Sequence, residues 1–291
     1  MNDFKQEVIS LIKHKRPNLT DNSIKTYLSL ISTLMRKLKY KNIDDINNNE
    51  DDVLEYIESI KSTQSKKTIL SSIYIITEND IFRKKMIELC NETNNKYKEQ
   101  KLSDSRKHID MTIQDIHKRH NELEQMLKYD ENIENYVNFL ISSLMSGVTD
   151  GIAPRRLEWC DVKTKDYDVV EDNYIDLKKK KVFFNKYKTA KVYGQQVVKI
   201  PSNIMKVINK FLKINTSGYL LCSNKLKKMN NSQLSKRLQE IYGEDIGVDM
   251  LRSIFLSDMY KDIPQLEHME DVASQMGHNF QSAINFYVKK D

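Results

Sequence analysis

Apolar residues recur at three- and four-residue intervals along the first third of this chain, the spacing of amphipathic helices. FKQEVISLIKHK sets Phe4, Val8, Leu11 and Ile12 on one face. Thr20 offers an N-cap to NSIKTYLSLISTLMRKL, where Ile24, Tyr27, Leu28, Ile31, Leu34 and Leu38 form a stripe. DDVLEYIESI and KKTILSSIYIIT continue the pattern, and no strand alternation interrupts it. Residues 4–90 are therefore predicted to form a small helical bundle.

The stretch NETNNKYKEQKLSDSRK (91–107) has almost no apolar content and reads as a linker. The expected organisation is a helical domain over 1–95, a linker over 96–107 and a second domain over 108–291. In that second domain a helix is predicted over about 111–128, followed by the strongly apolar ENIENYVNFLISSLMSG, which ends near Gly147. From about 174 the period changes. YIDL, KVFFN and QQVVKIP are β-branched and aromatic runs that predict a three-stranded antiparallel meander. Pro201–Ser202 opens another helix, and YLLCS reads as a further strand or a buried extended segment. Segments 231–242, 246–261, 268–275 and 280–289 read as helices. The predicted fold class is mainly α with a small antiparallel β-sheet, α+β.

Composition narrows the function classes. The 291 residues carry 47 Lys+Arg against 41 Asp+Glu, a formal charge of +6, and 39% hydrophobic residues. No stretch approaches the ~18–20 apolar residues of a membrane helix. The N-terminus lacks the apolar core of a secretory signal, so an intracellular site, in the cytoplasm or nucleus of a host cell, is expected. Three scattered cysteines, Cys90, Cys160 and Cys222, form no disulfide or zinc framework and read as core or incidental residues. No GxxxxGK[ST] occurs, so NTP hydrolysis is not indicated. His117 and His120 share an i, i+3 helix face, but no carboxylate or cysteine cluster joins them, and they read as a solvated face.

Four segments carry candidate chemistry. In GIAPRRLEWCDVK (151–163), Arg155 stands three residues before Glu158, a spacing that on a helix lets the carboxylate orient the guanidinium. DLKKKKVFFNKYKTAKVYG (176–194) interleaves lysines, among them Lys186, Lys188 and Lys191, with Phe183, Phe184, Tyr187 and Tyr193. Such a basic strand pair suits a nucleic-acid backbone. VDMLRSIFLSDMY (248–260) sets Arg252 in an apolar helix, where an unpaired charge is costly. In MGHNFQSAINFYVKKD, His278 follows Gly277 and Tyr287 lies nine residues later. Taken singly, each has a plain reading as a surface arginine pair, a solvated hairpin, an ion-paired arginine or a core tyrosine.

In this order and spacing, the four segments resemble the catalytic domain of the tyrosine recombinases, the phage-type integrase family, which share their catalytic core with type IB topoisomerases. By that resemblance Arg155 is the first arginine, with Arg156 as its competitor. Lys188 of Lys-Thr-Ala is the hairpin lysine, with Lys186 and Lys191 as competitors. Arg252 is the second arginine, His278 the Gly-His histidine and Tyr287 the nucleophile. The segment 4–90 resembles the family's core-binding domain, and PRR resembles recombinases of large DNA viruses and their parasites. The resemblance implies two domains closing as a clamp on double-stranded DNA. It implies strand cutting and rejoining through a 3′-phosphotyrosyl bond, without metal or cofactor, and self-association on DNA as a tetramer.

The rival reading of the same chemistry is a type IB topoisomerase; that of a different class is a catalytically impaired DNA-binding relative. One position departs from the pattern. Asp249 stands where the family usually has histidine, and its charge would repel a phosphate unless an arginine or lysine pairs with it. Arg36 and Lys37 are candidate phosphate contacts in the first domain.

Overall fold

A computed structural model describes residues 2–98, 108–277 and 279–282 of the chain. Two compact units emerge: one takes in the described parts of 1–102 and 264–291, the other that of 103–263.

The first unit begins with six helices, α1 (Asn2–Lys15), α2 (Asp21–Leu38), α3 (Ile43–Asn48), α4 (Glu50–Glu58), α5 (Thr63–Thr77) and α6 (Asp80–Lys98). The predicted stripes turn inward. Val8 and Ile12 of α1, Ile24, Ile31 and Leu34 of α2, and Leu70 and Ile73 of α5 are buried in one core, with Tyr27, Leu28 and Leu38 packed at its margin. Caps set the helix starts: the Thr20 hydroxyl accepts from Ser23 N, and Asn42 and Asp45 form a reciprocal capping box on α3. Helix α6 runs on to Lys98 through Asn91, Glu92 and Asn94, so the first residues of the polar stretch read as linker are helical.

The second unit opens with α7 (Ile113–Tyr129) and α8 (Ile133–Met145). Nearly every residue of α8 is buried, from Tyr136 to Met145, which makes it the spine of the core. A 3-10 turn (Leu157–Asp161) then leads into a four-stranded sheet, β1 (Val162–Lys163), β2 (Asn173–Asp176), β3 (Lys181–Phe184) and β4 (Gln196–Lys199), in that spatial order. The three predicted strands pair antiparallel, with Tyr174 opposite Phe183 and Val182 opposite Val198. The added strand β1 pairs parallel with β2 through Val162 and Asn173. A short helical turn, α9 (Ala190–Tyr193), sits in the β3–β4 loop, and α10 (Ser202–Phe211), α11 (Asn231–Tyr242) and α12 (Val248–Met259) complete the unit. YLLCS is a buried extended segment: Leu220, Leu221 and Cys222 are fully buried, and Tyr219 bridges to Lys163. Helices α13 (Leu266–Gln275) and α14 (Phe280–Ser282) fall with the first unit. Among the described residues, no helix is long and apolar enough to cross a membrane.

One glycine fixes how closely α12 approaches α8. Gly147 follows α8 with φ +88°, and a Cβ there would stand 2.3 Å from the ring of Phe255 on α12. Gly147→Ala therefore combines left-handed backbone strain with overpacking, and should lower stability by about 2–4 kcal/mol. A denaturant titration checks this: the midpoint should fall with the slope unchanged.

Candidate active site

Arg155 is held by buried neighbours on both sides in sequence. Gly151 ends a turn, Ile152 is buried, and Trp159 is buried edge-on against Phe184, with ring centroids 5.0 Å apart. Residues 153–156 are not helical; the 3-10 turn begins only at Leu157. Pro154 drives Ala153, the residue before it, to extended backbone. The i, i+3 pairing expected of Arg155 and Glu158 is accordingly not formed. Arg155 instead places its Cζ 4.3 Å from the Phe184 ring centroid and 5.1 Å from that of Tyr187, both in cation–π range. Its Nε and the Glu158 Oε2 are buried and have no hydrogen-bond partner among the described residues. Burial moves the Arg155 pKa below its ordinary value; Glu158 and Tyr187 oppose the shift, and the charge of Arg252 adds to it.

Arg252 lies in the second turn of α12, next to the buried Met250 and Leu251. Its Nη1 stands 3.2 Å from Asp249 Oδ1 in an i, i+3 ion pair. The carboxylate at the divergent position is thus neutralised by an arginine rather than left free.

A cleft of about 260 Å³ is lined by Arg155, Arg156, Glu158, Tyr187 and Arg252 among others. A second depression of about 380 Å³ shares Arg156, Glu158 and Tyr187 with it and adds Lys186, Lys188 and Asp249. The fold therefore gathers residues from the 150s loop, the β3–β4 loop and α12 around one surface, although about 100 residues of sequence separate Arg155 from Arg252. Lys188 and Lys191 are exposed and have no ion-pair partner among the described residues, whereas Lys186 pairs with Glu171 at 3.3 Å. Arg36 and Lys37 are exposed in the last turn of α2. His278 and Tyr287 lie outside the described residues.

Two side chains of this surface carry no sequence signal of their role: Phe184 and Tyr187, the rings against Arg155. The sequence marks Phe184 only as one aromatic of a strand run; in the sheet, Val182 and Phe184 are the buried residues of β3.

His120 departs from its expected role. His117 is exposed, but His120 packs on Phe139, with ring centroids 5.0 Å apart, and its Nδ1 lies 2.9 Å from Ser142 Oγ, which also accepts from the Tyr242 hydroxyl at 2.7 Å. Burial lowers the His120 pKa. It is a packing histidine that ties α7 to α8, and Ser142 carries the link on to Tyr242 of α11. Among the described residues, no group of three or more His, Cys, Asp or Glu side chains stands together as a metal site. Burial pushes the Cys160 thiol up to about 12 and Cys222 up to about 11, so both are core residues and neither is a thiolate at neutral pH.

A helical unit and a helix-rich unit built on a small mixed sheet make up the fold of the tyrosine recombinase integrases. Two solved structures, both of one integrase, carry that statement. The chain aligns over 99% of its length with 95% of the solved portion (aa 82-397) of the Tn1549 transposon integrase in complex with transposon right end DNA, at TM-score 0.52 and 13% identity. The same integrase in complex with a circular intermediate DNA aligns over 99% and 96% of the two chains, at TM-score 0.53 and 13% identity. The XerA recombinase aligns over 100% and 95%, with 16% identity and TM-score 0.35. At these identities the likeness is one of fold. No family model matches the sequence, and no curated protein sequence matches it.

Proposed function

We propose that this chain is a site-specific DNA recombinase of the integrase type, which cuts and rejoins duplex DNA through Tyr287. The observation that supports the reading is the pair of guanidiniums, Arg155 and Arg252, lining one cleft, with a buried Arg155 Nε that lacks a partner among the described residues. An unmade hydrogen bond on a buried charged group is costly, and a phosphate oxygen would satisfy it.

In the proposed reaction the Tyr287 Oη attacks the scissile phosphorus. An Oη–P bond forms, the P–O5′ bond breaks, and the phenolic proton passes to solvent. Negative charge gathers on the non-bridging oxygens, where Arg155 and Arg252 neutralise it and His278 adds a hydrogen bond. The leaving O5′ takes a proton from the Lys188 ammonium. Reversal with a new 5′-hydroxyl rejoins the strand, so the phosphodiester energy is retained without a nucleotide cofactor or metal. Asp249 holds Arg252 until the phosphate competes for it.

In this reading the domain over 1–95 grips DNA, 96–107 links it to the catalytic domain over 108–291, and copies assemble as a tetramer on DNA. The element served is a mobile or viral one inside a host cell. A nicked duplex that releases its short 5′-hydroxyl fragment on cleavage tests the reading. In the presence of a chelator it should trap an adduct that survives denaturation; tight binding with no adduct would overturn strand transfer in favour of a DNA-binding relative.

Arg36 and Lys37 supply phosphate contacts outside the chemistry. Replacing either with alanine should weaken binding equally across sequences and flatten the slope of log K against log salt by about one unit. Fluorescence anisotropy at several salt concentrations measures this.

A further inference from the structure

We propose that Tyr187 is a positioning residue that locks the loop bearing Lys188 to the guanidinium of Arg155. The assignment rests on the strand-transfer reading above. The loop leaves β3 after Phe184 and rejoins the sheet at Gln196. Inside it, Ala190 N donates to Tyr187 O at 3.1 Å, Gly194 N donates to Ala190 O at 2.8 Å, and the Tyr187 hydroxyl donates to Gly194 O at 2.8 Å. The last of these closes residues 187–194 on themselves, with Lys188 just inside the closure. Gly194 makes it possible: φ +64° with ψ −158° is backbone that only glycine adopts readily, and nothing stands within 4 Å of where its Cβ would be. The glycine is required by conformation, not by crowding.

The ring of the same tyrosine stands 5.1 Å from Arg155 Cζ and packs at the edge of the core. Tyr187 therefore touches both the far end of the loop and the arginine. Lys188 is exposed and has no ion-pair partner among the described residues, so no charge among them holds its side chain. A general acid works only when held within hydrogen-bond reach of the atom it protonates. Here the closure of the loop supplies that hold, and the stacked arginine registers it against the phosphate.

The two functions of the side chain can be separated. Tyr187→Phe keeps the ring on Arg155 and removes the tie to Gly194. Tyr187→Leu removes both. The readout pairs ordinary DNA with a substrate whose scissile 5′-oxygen is replaced by sulfur. A thiolate, with a thiol pKa near ~8.5 against ~15.7 for water, leaves without a donated proton.

Tyr187→Phe should cleave ordinary DNA about tenfold more slowly, a part of the ~10²–10⁴ that a placed acid contributes, and cleave the sulfur substrate within about twofold of the parent. Tyr187→Leu should be slowed on both substrates, because Arg155 also loses a ring. Overturning results are a Tyr187→Phe enzyme equal to the parent on ordinary DNA, or one slowed alike on both substrates as a general structural defect would produce. A parent chain that cleaves neither substrate overturns strand transfer itself, and the assignment with it.

Discussion

Replacing Arg252 with alanine should lower strand cleavage at least ~10²-fold, the scale for removing one preorganised contact to transition-state charge. The guanidinium enters the cleft from α12 beside Arg155, and its own partner, Asp249, is 70% exposed in its side chain. Losing the ion pair leaves Asp249 in water, where an exposed pair contributes little to stability, so folding should survive the change. Binding should weaken far less than cleavage, since one phosphate contact among many is removed. Arg252→Lys should recover only part of the rate, because an ammonium keeps the charge and loses the bidentate fork. Single-turnover cleavage of the nicked duplex, run beside a thermal melt, measures both quantities. Unimpaired cleavage by Arg252→Ala would remove the two-arginine cleft from the chemistry.

Tyr287→Phe carries the largest expected effect. Phenylalanine keeps the ring and deletes the one oxygen through which a phosphotyrosyl bond could form, so adduct should fall to background while DNA affinity stays within about twofold. Tyr260, which caps α12 and is 53% exposed, is the alternative hydroxyl; Tyr260→Phe should cleave as the parent does. An undiminished adduct from Tyr287→Phe, detected in a denaturing gel, would move the nucleophile elsewhere.

What the residues disclosed in advance was local. Helix α11 falls on 231–242 as its spacing predicts, because Asn230 and Gln233 form a capping box and Leu234, Leu238 and Ile241 make the buried stripe. The antiparallel strands were legible because short β-branched and aromatic runs, YIDL, KVFFN and QQVVKIP, stand between Lys-rich breaks. Strand β1 was not, since two residues, Val162 and Lys163, display no period, and its parallel partner lies beyond a nine-residue loop. The tail of α6 read as linker because a helix solvated all round has the composition of a coil; Asn94, Asn95 and Lys96 do not distinguish them.

At the site, the arginines and the loop lysine could be proposed from order and spacing, but their supports could not. Tyr187 meets Arg155 only once β3 has its pleat and the loop has closed on Gly194. His120 looked solvated because its partner Ser142 is on α8, 22 residues away. Side-chain partnerships set by tertiary packing leave no periodic trace in one sequence.

The proposed strand transfer requires this chain to join itself to DNA through Tyr287. The most direct measurement is to digest the adduct trapped on the nicked duplex and sequence the peptide that carries the nucleotide. A single peptide is expected, with a 3′-linked phosphate on Tyr287. A nucleotide on Tyr260 or on any other side chain, or tight DNA binding that never yields an adduct, would contradict it.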